Sequence, residues 1–505
     1  MQTSTLFSKI LLSGLGVASL CPAFSAEKVE KDQPINVLLI TADDLNCNSV
    51  GAFGGEVSNI TPNIDKLATQ GVRFTNAFVN VAVCQPSRGI IATGLYSHNS
   101  NIEGFFHTQK NIPTIVGTLR DNGYITGVLG KVDHSSPKAD TPWDMQYDRW
   151  DLGVGRDKDI YYRRVKDFLQ RAKKENKPFY LMANAHDPHR PFALSDQEKN
   201  AFKDHKIKDP SRIYQPDEVI VPEFLPEIPQ VRLEVSEYFG SVKRLDDTVG
   251  KVLQALEEEG LADNTVVIFL SDHGMAFPFA KTNCYFQSNR TPWIMRWPNH
   301  IAPNTVDENN FISAVDFFPT MMDILDIDIP KGLDGKSFKN ILSGKTDRTR
   351  DKVFTQFHET SAANVFPMRS VQNSEYCYIF NPWSNGERSF RNESQSGRTW
   401  RAMKAAAEKD KSIAARVDLF SHRVKEEFYD LKKDPNALNN LIDDPVYQKK
   451  IAKMRKELRA WFVQTNDPIL PAFDKRDDAV FVENYVQKMQ VEAKARKKNR
   501  KSMKH

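Results

Sequence analysis

The sequence predicts an α/β protein: a large, mostly parallel sheet flanked by helices, followed by a smaller C-terminal antiparallel-sheet subdomain. Three observations carry this reading. Four short apolar runs alternate with amphipathic stretches, each run is continuous, and after about residue 350 the pattern changes to short alternating runs. Continuous apolar runs mark strands buried on both faces, as in a parallel sheet covered by helices.

The first run, Asn36-Val37-Leu38-Leu39-Ile40-Thr41-Ala42, leads straight into Asp43-Asp44. The run at 125–130 is followed by Lys131, the run at 178–185 by His186, and the run at 265–271 by Asp272-His273-Gly274. Helical crossovers fit at 114–122, 159–177 and 234–256. In the last of these, Tyr238, Val242, Leu245, Val249, Leu253 and Leu256 recur at three- and four-residue steps and make one apolar stripe. Gly260 then closes that helix. In open α/β sheets ligands bind outside the carboxyl ends of the strands. All four carboxyl ends here carry charged or imidazole groups, which solubility alone does not require. Later, 352–357, 368–372 and 376–380 suit a small antiparallel sheet. A helix over 445–463 places Ile451, Met454, Leu458, Trp461 and Phe462 on one side.

The ends of the chain read differently. Lys9, an apolar stretch from Ile10 to Leu20 and Ala23-Phe24-Ser25 predict a removable export signal over 1–25. That stretch is too short to span a bilayer. The expectation is a periplasmic or secreted protein without a membrane span, with a catalytic domain at 34–350, a subdomain at 351–470 and a basic tail at 471–505. Of five cysteines, Cys21 leaves with the signal; Cys47, Cys84, Cys284 and Cys377 remain. Setting Cys84 aside for the motif below leaves an odd, widely spaced set, which argues against a disulfide framework. A net charge of +4, from 69 basic and 65 acidic residues, gives no reason to expect a nucleic-acid partner. The basic run 494–501 reads as a solvated, frayed tail, with contact to an anionic polysaccharide as the other reading.

Asp43, Asp44 and Asp272, with His273, would gather three negative charges at the strand ends, and a cation resolves such a cluster. Oxygen-rich ligation favours calcium or magnesium over zinc. As an isolated pair, Asp43-Asp44 could equally cap the next helix. Residues 84–94 read Cys84-Gln85-Pro86-Ser87-Arg88-Gly89-Ile90-Ile91-Ala92-Thr93-Gly94. Alone, a cysteine there could be a buried residue before a helix.

The run resembles the signature C-x-P-S-R-x-x-x-x-T-G of type I sulfatases, and the resemblance extends over about 35–467. It includes Thr61-Pro62-Asn63-Ile64-Asp65-Lys66-Leu67-Ala68 and Phe428-Tyr429-Asp430-Leu431. It implies an alkaline-phosphatase-like sandwich. It implies further that a maturation enzyme converts Cys84 to 3-oxoalanine (formylglycine), whose hydrate is the nucleophile. Ca2+ would sit on Asp43, Asp44, Asp272 and His273, with the residue-84 oxygen completing the shell. Arg88 would bond the hydrated aldehyde, and Lys131 and Lys281 would hold sulfate oxygens. His186 would protonate the leaving group, and His134 would take a proton when sulfate is expelled. His189 and Arg190 would read the sugar. The family pattern Gly-Lys-x-His becomes Gly130-Lys131-Val132-Asp133-His134 here, so the histidine comes one residue late.

Two stretches, Ala185-His186-Asp187-Pro188-His189-Arg190 and Phe277-Pro278-Phe279-Ala280-Lys281-Thr282-Asn283, are most similar to the heparan N-sulfatase (sulfamidase) branch. Lys281 stands where that branch carries arginine, which exchanges a planar fork for a point charge. The favoured expectation is therefore a sulfatase acting on sulfate esters of polysaccharide-derived saccharides, ulvan-type first. Sulfamidase action on N-sulfated glucosamine is the alternative, and a non-catalytic polyanion-binding protein is the distant one. Substrate choice is expected to rest on loops around His98, Asn99, His107, His189 and Trp383.

Overall fold

A computed structural model describes residues 34–502, and the expected export signal lies outside the described residues. Strand β1 (Asn36–Ala42) is buried along its whole length, as an apolar run between two helical layers must be. The strands that follow are β2 (Val72–Phe74), β3 (Ala77–Phe78), β4 (Ile125–Leu129), β5 (Met145–Tyr147), β6 (Phe179–Asn184), β7 (Thr265–Ser271), β8 (Trp293–Arg296), β9 (Thr305–Asp307) and β10 (Ile312–Ser313). Among the described residues eight of them form one sheet, in the order β5-β4-β6-β1-β7-β8-β2-β9, while β3 pairs with β10 apart from it. β5, β4, β6, β1 and β7 run parallel; β8 is antiparallel to β7 and β2.

Register positions the site. Ala42 lies beside Ser271 and Thr41 beside Asn184, so β6, β1 and β7 finish level. The residues just past those ends, 43–44, 185–187 and 272–273, are thereby delivered to one place. Helix Lys158–Glu175 starts on Asp157, whose carboxylate accepts the N–H groups of Asp159 and Ile160. It packs on helix Pro229–Glu258, which begins five residues earlier than the apolar stripe alone marks; Pro229 fits its first turn, where no N–H partner is needed.

The C-terminal sheet is β11 (Lys352–Glu359), β12 (Val365–Asn373), β13 (Tyr376–Phe380) and β14 (Glu426–Asp430), antiparallel in that order. Helix Gln448–Thr465 buries the five apolar residues expected of it. The expected frayed tail needs correction. Residues Ala479–Ser502 form a helix, and Val482, Val486 and Ala493 bury against the rest of the chain. Among the described residues all four cysteines are free and buried, and no helix is long and apolar enough to cross a membrane.

Candidate active site

The strand ends are tied together by backbone. Asp43 N–H donates to Asp187 O (3.1 Å), Asp272 N–H to Ala42 O (3.2 Å) and Asp44 N–H to Asp272 Oδ1 (3.1 Å). Helix Cys84–Thr93 is buried at every position and begins at this spot, pinned by Ser87 Oγ donating to Asp272 O at 2.6 Å. Its amino terminus, with free N–H groups and positive potential, suits an anion. Cys84 Sγ lies 3.4 Å from Asp43 Oδ1 and 3.4 Å from His273 Nε2. One turn on, Arg88 is fully buried; Nε reaches Asp272 Oδ2 (3.1 Å) and Nη1 reaches Thr41 Oγ1 and Asn184 Oδ1 (2.8 Å each). Its guanidinium thus braces three strand ends, with Nη2 at 3.9 Å from Asp43 Oδ1.

Lys131 arrives by a sharp turn. Gly130 (φ +68°) and Lys131 (φ +51°) are both left-handed, and a Cβ on Gly130 would meet Asn184 O at 2.3 Å, so only glycine fits. The turn aims the Lys131 ammonium at Asp43. Lys281 Nζ sits between Asp44 Oδ2 (2.8 Å) and Glu393 Oε2 (2.7 Å). His189 Nε2 lies 4.0 Å from Asp44 Oδ2 and 3.5 Å from Glu393 Oε1. His186 is buried against the backbones of Gly155 and Gly130, and its Nε2 has no hydrogen-bond partner.

Charge crowding shapes the titration of these groups. Burial pushes the Asp44 carboxyl up and Asp272 to about 7. Around Asp43 burial is outweighed by Lys131, His189 and Arg88, which hold it well below the usual range. Burial and Asp43 push the Cys84 thiol up, yet Lys281, His273 and Lys131 outweigh them and keep it low. Burial and Lys281 depress His189, but Asp44 and Glu393 lift it to about 9. Burial, then Lys131, holds His186 well below the ordinary imidazole value.

This donor set fits a hard divalent cation. Ligand atoms of Asp43, Cys84, Asp272 and His273 lie within 4.8 Å of one another, as do those of Asp44, Cys84 and His189. Asp43 Oδ2 and Asp44 Oδ1 are buried and accept no hydrogen bond, with Lys131 and His273 beside them as charges only. Buried carboxylate oxygens left in that condition call for a positive charge.

Five expected positions lie elsewhere. Arg190 is buried away from the cluster, bonded to Glu234 and Ala276 O and lying 4.4 Å over the Phe192 ring. The extra residue after Lys131 turns His134 toward the Phe105 ring, at 5.4 Å. Of the loop residues, His98 is held by Gln356 and Asp467, Asn99 by Asp334, and Trp383 is packed in the core against Phe366 and Phe390. Glu393 escaped the sequence reading altogether. It lies far along the chain at the start of the short 3-10 helix Glu393–Ser396, whose cap Asn392 is tied to Thr282, and no local pattern announces it.

Comparison with known proteins gives the family and the fold. The sulfatase family model matches residues 35–327, and a second, the N-sulphoglucosamine sulphohydrolase C-terminal model, matches 272–385. Human N-sulphoglucosamine sulphohydrolase is 29% identical over 472 residues, spanning 88% of this chain and 92% of its own. An ulvan-active sulfatase of Formosa agariphila is 26% identical over 488 residues, spanning 86% and 75%. A protein solved in complex with its substrate D-glucosamine-2-N,6-O-disulfate shares the fold at 20% identity, with a TM-score of 0.64 over 86% of this chain and 99% of that one. The architecture is thus the alkaline-phosphatase-like one. Because the family model covers more than half of the chain and every strand end that meets at Cys84, the protein belongs to the sulfatase family, as a sulfuric ester hydrolase of its sulfamidase-like branch.

Proposed function

We propose that the protein is an exported sulfatase that removes sulfate esters from saccharides of a sulfated polysaccharide, ulvan-type chains first. The observation that carries this is the meeting of Cys84 with three carboxylates and three cations, Arg88, Lys131 and Lys281, at level strand ends. Asp43, Asp44, Asp272 and His273 would hold Ca2+. As formylglycine, residue 84 supplies a hydrated aldehyde nucleophile, and the calcium charge lowers the cost of ionising it. The chain's own groups do the rest. Lys131 and Lys281 orient the sulfate oxygens toward the amino terminus of helix Cys84–Thr93. His186, whose Nε2 has no hydrogen-bond partner, would donate a proton to the leaving group once the negative charge of a bound sulfate offsets burial and Lys131, which hold its imidazole neutral. His189, beside Lys281 and Glu393, faces the substrate from the other side. Residues 34–350 would form the catalytic domain, and 351–470 a subdomain that contributes Glu393.

Sulfamidase action on N-sulfated glucosamine is the second reading, favoured by the match of the N-sulphoglucosamine sulphohydrolase C-terminal model to the segment holding Lys281. The test is sulfate release from ulvan-derived and N-sulfated oligosaccharides, using calcium-loaded protein whose residue-84 aldehyde is confirmed by mass spectrometry. Release from ulvan fragments alone supports the first reading. Release from N-sulfated glucosamine replaces it with the second.

A further inference from the structure

The basic run near the end of the chain does not project into solvent as a loose tail. Within helix Ala479–Ser502, Gln490 Oε1 accepts Val365 N–H (3.0 Å) and Lys494 Nζ bonds Ala362 O (3.0 Å) and Asn364 Oδ1 (2.8 Å). Lys497 Nζ reaches Ser361 O at 3.1 Å. The helix is therefore fastened along the β11–β12 turn, and its last turns meet a second segment. Arg500 Nη1 donates to Phe105 O (2.6 Å), and the Arg496 and Arg500 guanidinium groups lie 4.4 and 5.4 Å from the Phe106 ring. Between helix, turn and Phe105-Phe106 is a cavity of ≈ 190 Å³ whose charged lining is Arg496, Lys497 and Arg500 against a single acid, Glu359.

The wall of this cavity is shared with the catalytic strand end. Phe105 packs on His134, and His107 Nε2 lies 3.1 Å from Asp133 Oδ1. Both partners belong to the single turn Val132–Ser135, which starts on Lys131, and Lys131 faces Asp43. The turn that carries Asp133 and His134 thus lies between a proposed sulfate-holding lysine and the aromatic wall of the cavity. Arg496 is answered by Glu359 and reads as structural. Among the described residues Arg500 is exposed, uses one of its five N–H donors on Phe105 O and is within electrostatic reach of Asp133 and Glu359, and Lys497 retains donors beyond Ser361. An aromatic wall beside a guanidinium and an ammonium suits a sugar ring carrying a sulfate or carboxylate.

We propose that this cavity is a distal subsite, in which Arg500 and Lys497 hold an anionic group on a second sugar of the oligosaccharide whose scissile sulfate lies at residue 84. The inference rests on the polysaccharide reading above and deepens it: the enzyme favours chains over monosaccharides. The test compares wild type with the Lys497→Gln, Arg500→Gln double variant, both calcium-loaded and aldehyde-bearing. Substrates are a sulfated tetrasaccharide and a monosulfated monosaccharide. For the tetrasaccharide, KM should rise roughly tenfold with kcat unchanged, because two solvent-screened charge contacts are lost; constants for the monosaccharide should stay put. Arg500→Lys should restore part of the loss. Equal changes on both substrates, or none on the tetrasaccharide, would overturn the subsite. Binding of the tetrasaccharide to Cys84→Ala protein, with and without the double substitution, separates the two ideas. A roughly tenfold weaker affinity supports the subsite even where no sulfate is ever released; unchanged affinity removes it whatever the activity.

Discussion

Around Asp187 every buried charge is answered. Arg244 grips its carboxylate with Nε at 2.7 Å and Nη2 at 3.0 Å, the same Nη2 reaches Glu198 at 2.7 Å, and Arg156 Nε adds a contact at 3.2 Å. Around Asp44, one strand end away, charges are equally buried but Asp43 Oδ2, Asp44 Oδ1 and His186 Nε2 have no hydrogen-bond partner. The two clusters touch, since Asp43 N–H is bonded to Asp187 O. The contrast separates scaffold from site. A fully paired buried network rigidifies the segment that carries His186 and His189, whereas a network left short of partners is poised for a ligand.

The sharpest way to break this contrast is Cys84→Ala. Sulfate release should fall at least about a thousandfold, with the melting temperature nearly unchanged because one small buried atom is lost. Retained turnover would end the nucleophile assignment. Arg244→Ala should act in the opposite sense. It leaves Asp187 and Glu198 buried without their main partner, so urea denaturation should register a loss of about 3–5 kcal/mol; a loss below about 1 kcal/mol would dissolve the distinction between the clusters. Asp44→Asn, by contrast, keeps an amide oxygen for Lys281 and should cost the metal-free protein less than Arg244→Ala does. Calcium at about a hundredfold over its Kd should stabilise wild type by about 2.7 kcal/mol in thermal melts, and much less in Asp44→Asn. Equal calcium shifts in the two proteins would place the ion elsewhere. The smallest effect is expected from Glu393→Gln. Lys281 and His189 lose a competing carboxylate that is 37% exposed, so inhibition by inorganic sulfate should tighten roughly threefold. Weaker inhibition would mean that Glu393 positions Lys281 rather than competing for it.

The central strands were legible because they are long and continuous. β1 and β7 begin and end where their apolar runs do, and β4 and β6 are shorter than their runs by one or two residues. Strands such as β2, β5 and β9, three residues each, are too short for any periodicity to declare them. In the site, the residues next to strand ends were legible because a parallel sheet levels those ends. Which of His186 and His189 faces Lys281 was not, since that depends on how 186–191 winds back over the sheet. Arg190 illustrates the same limit, because its partner Glu234 lies in a distant helix. The terminal helix was hidden by its own charge: its anchors Val482 and Val486 precede the basic run, so the run by itself looks solvated.

The burial of residue 84 has a consequence in time. Cys84 is 2% exposed and opens a helix buried at all ten positions. If it is to become an aldehyde, an oxidising enzyme must reach it while the chain is still extended. Folding and oxidation then compete for the same molecule, and whichever is faster sets the fraction of the population that carries the nucleophile. Variants that fold faster would be less active per molecule at equal stability, and slowing the closure of this one helix would raise the yield of competent enzyme.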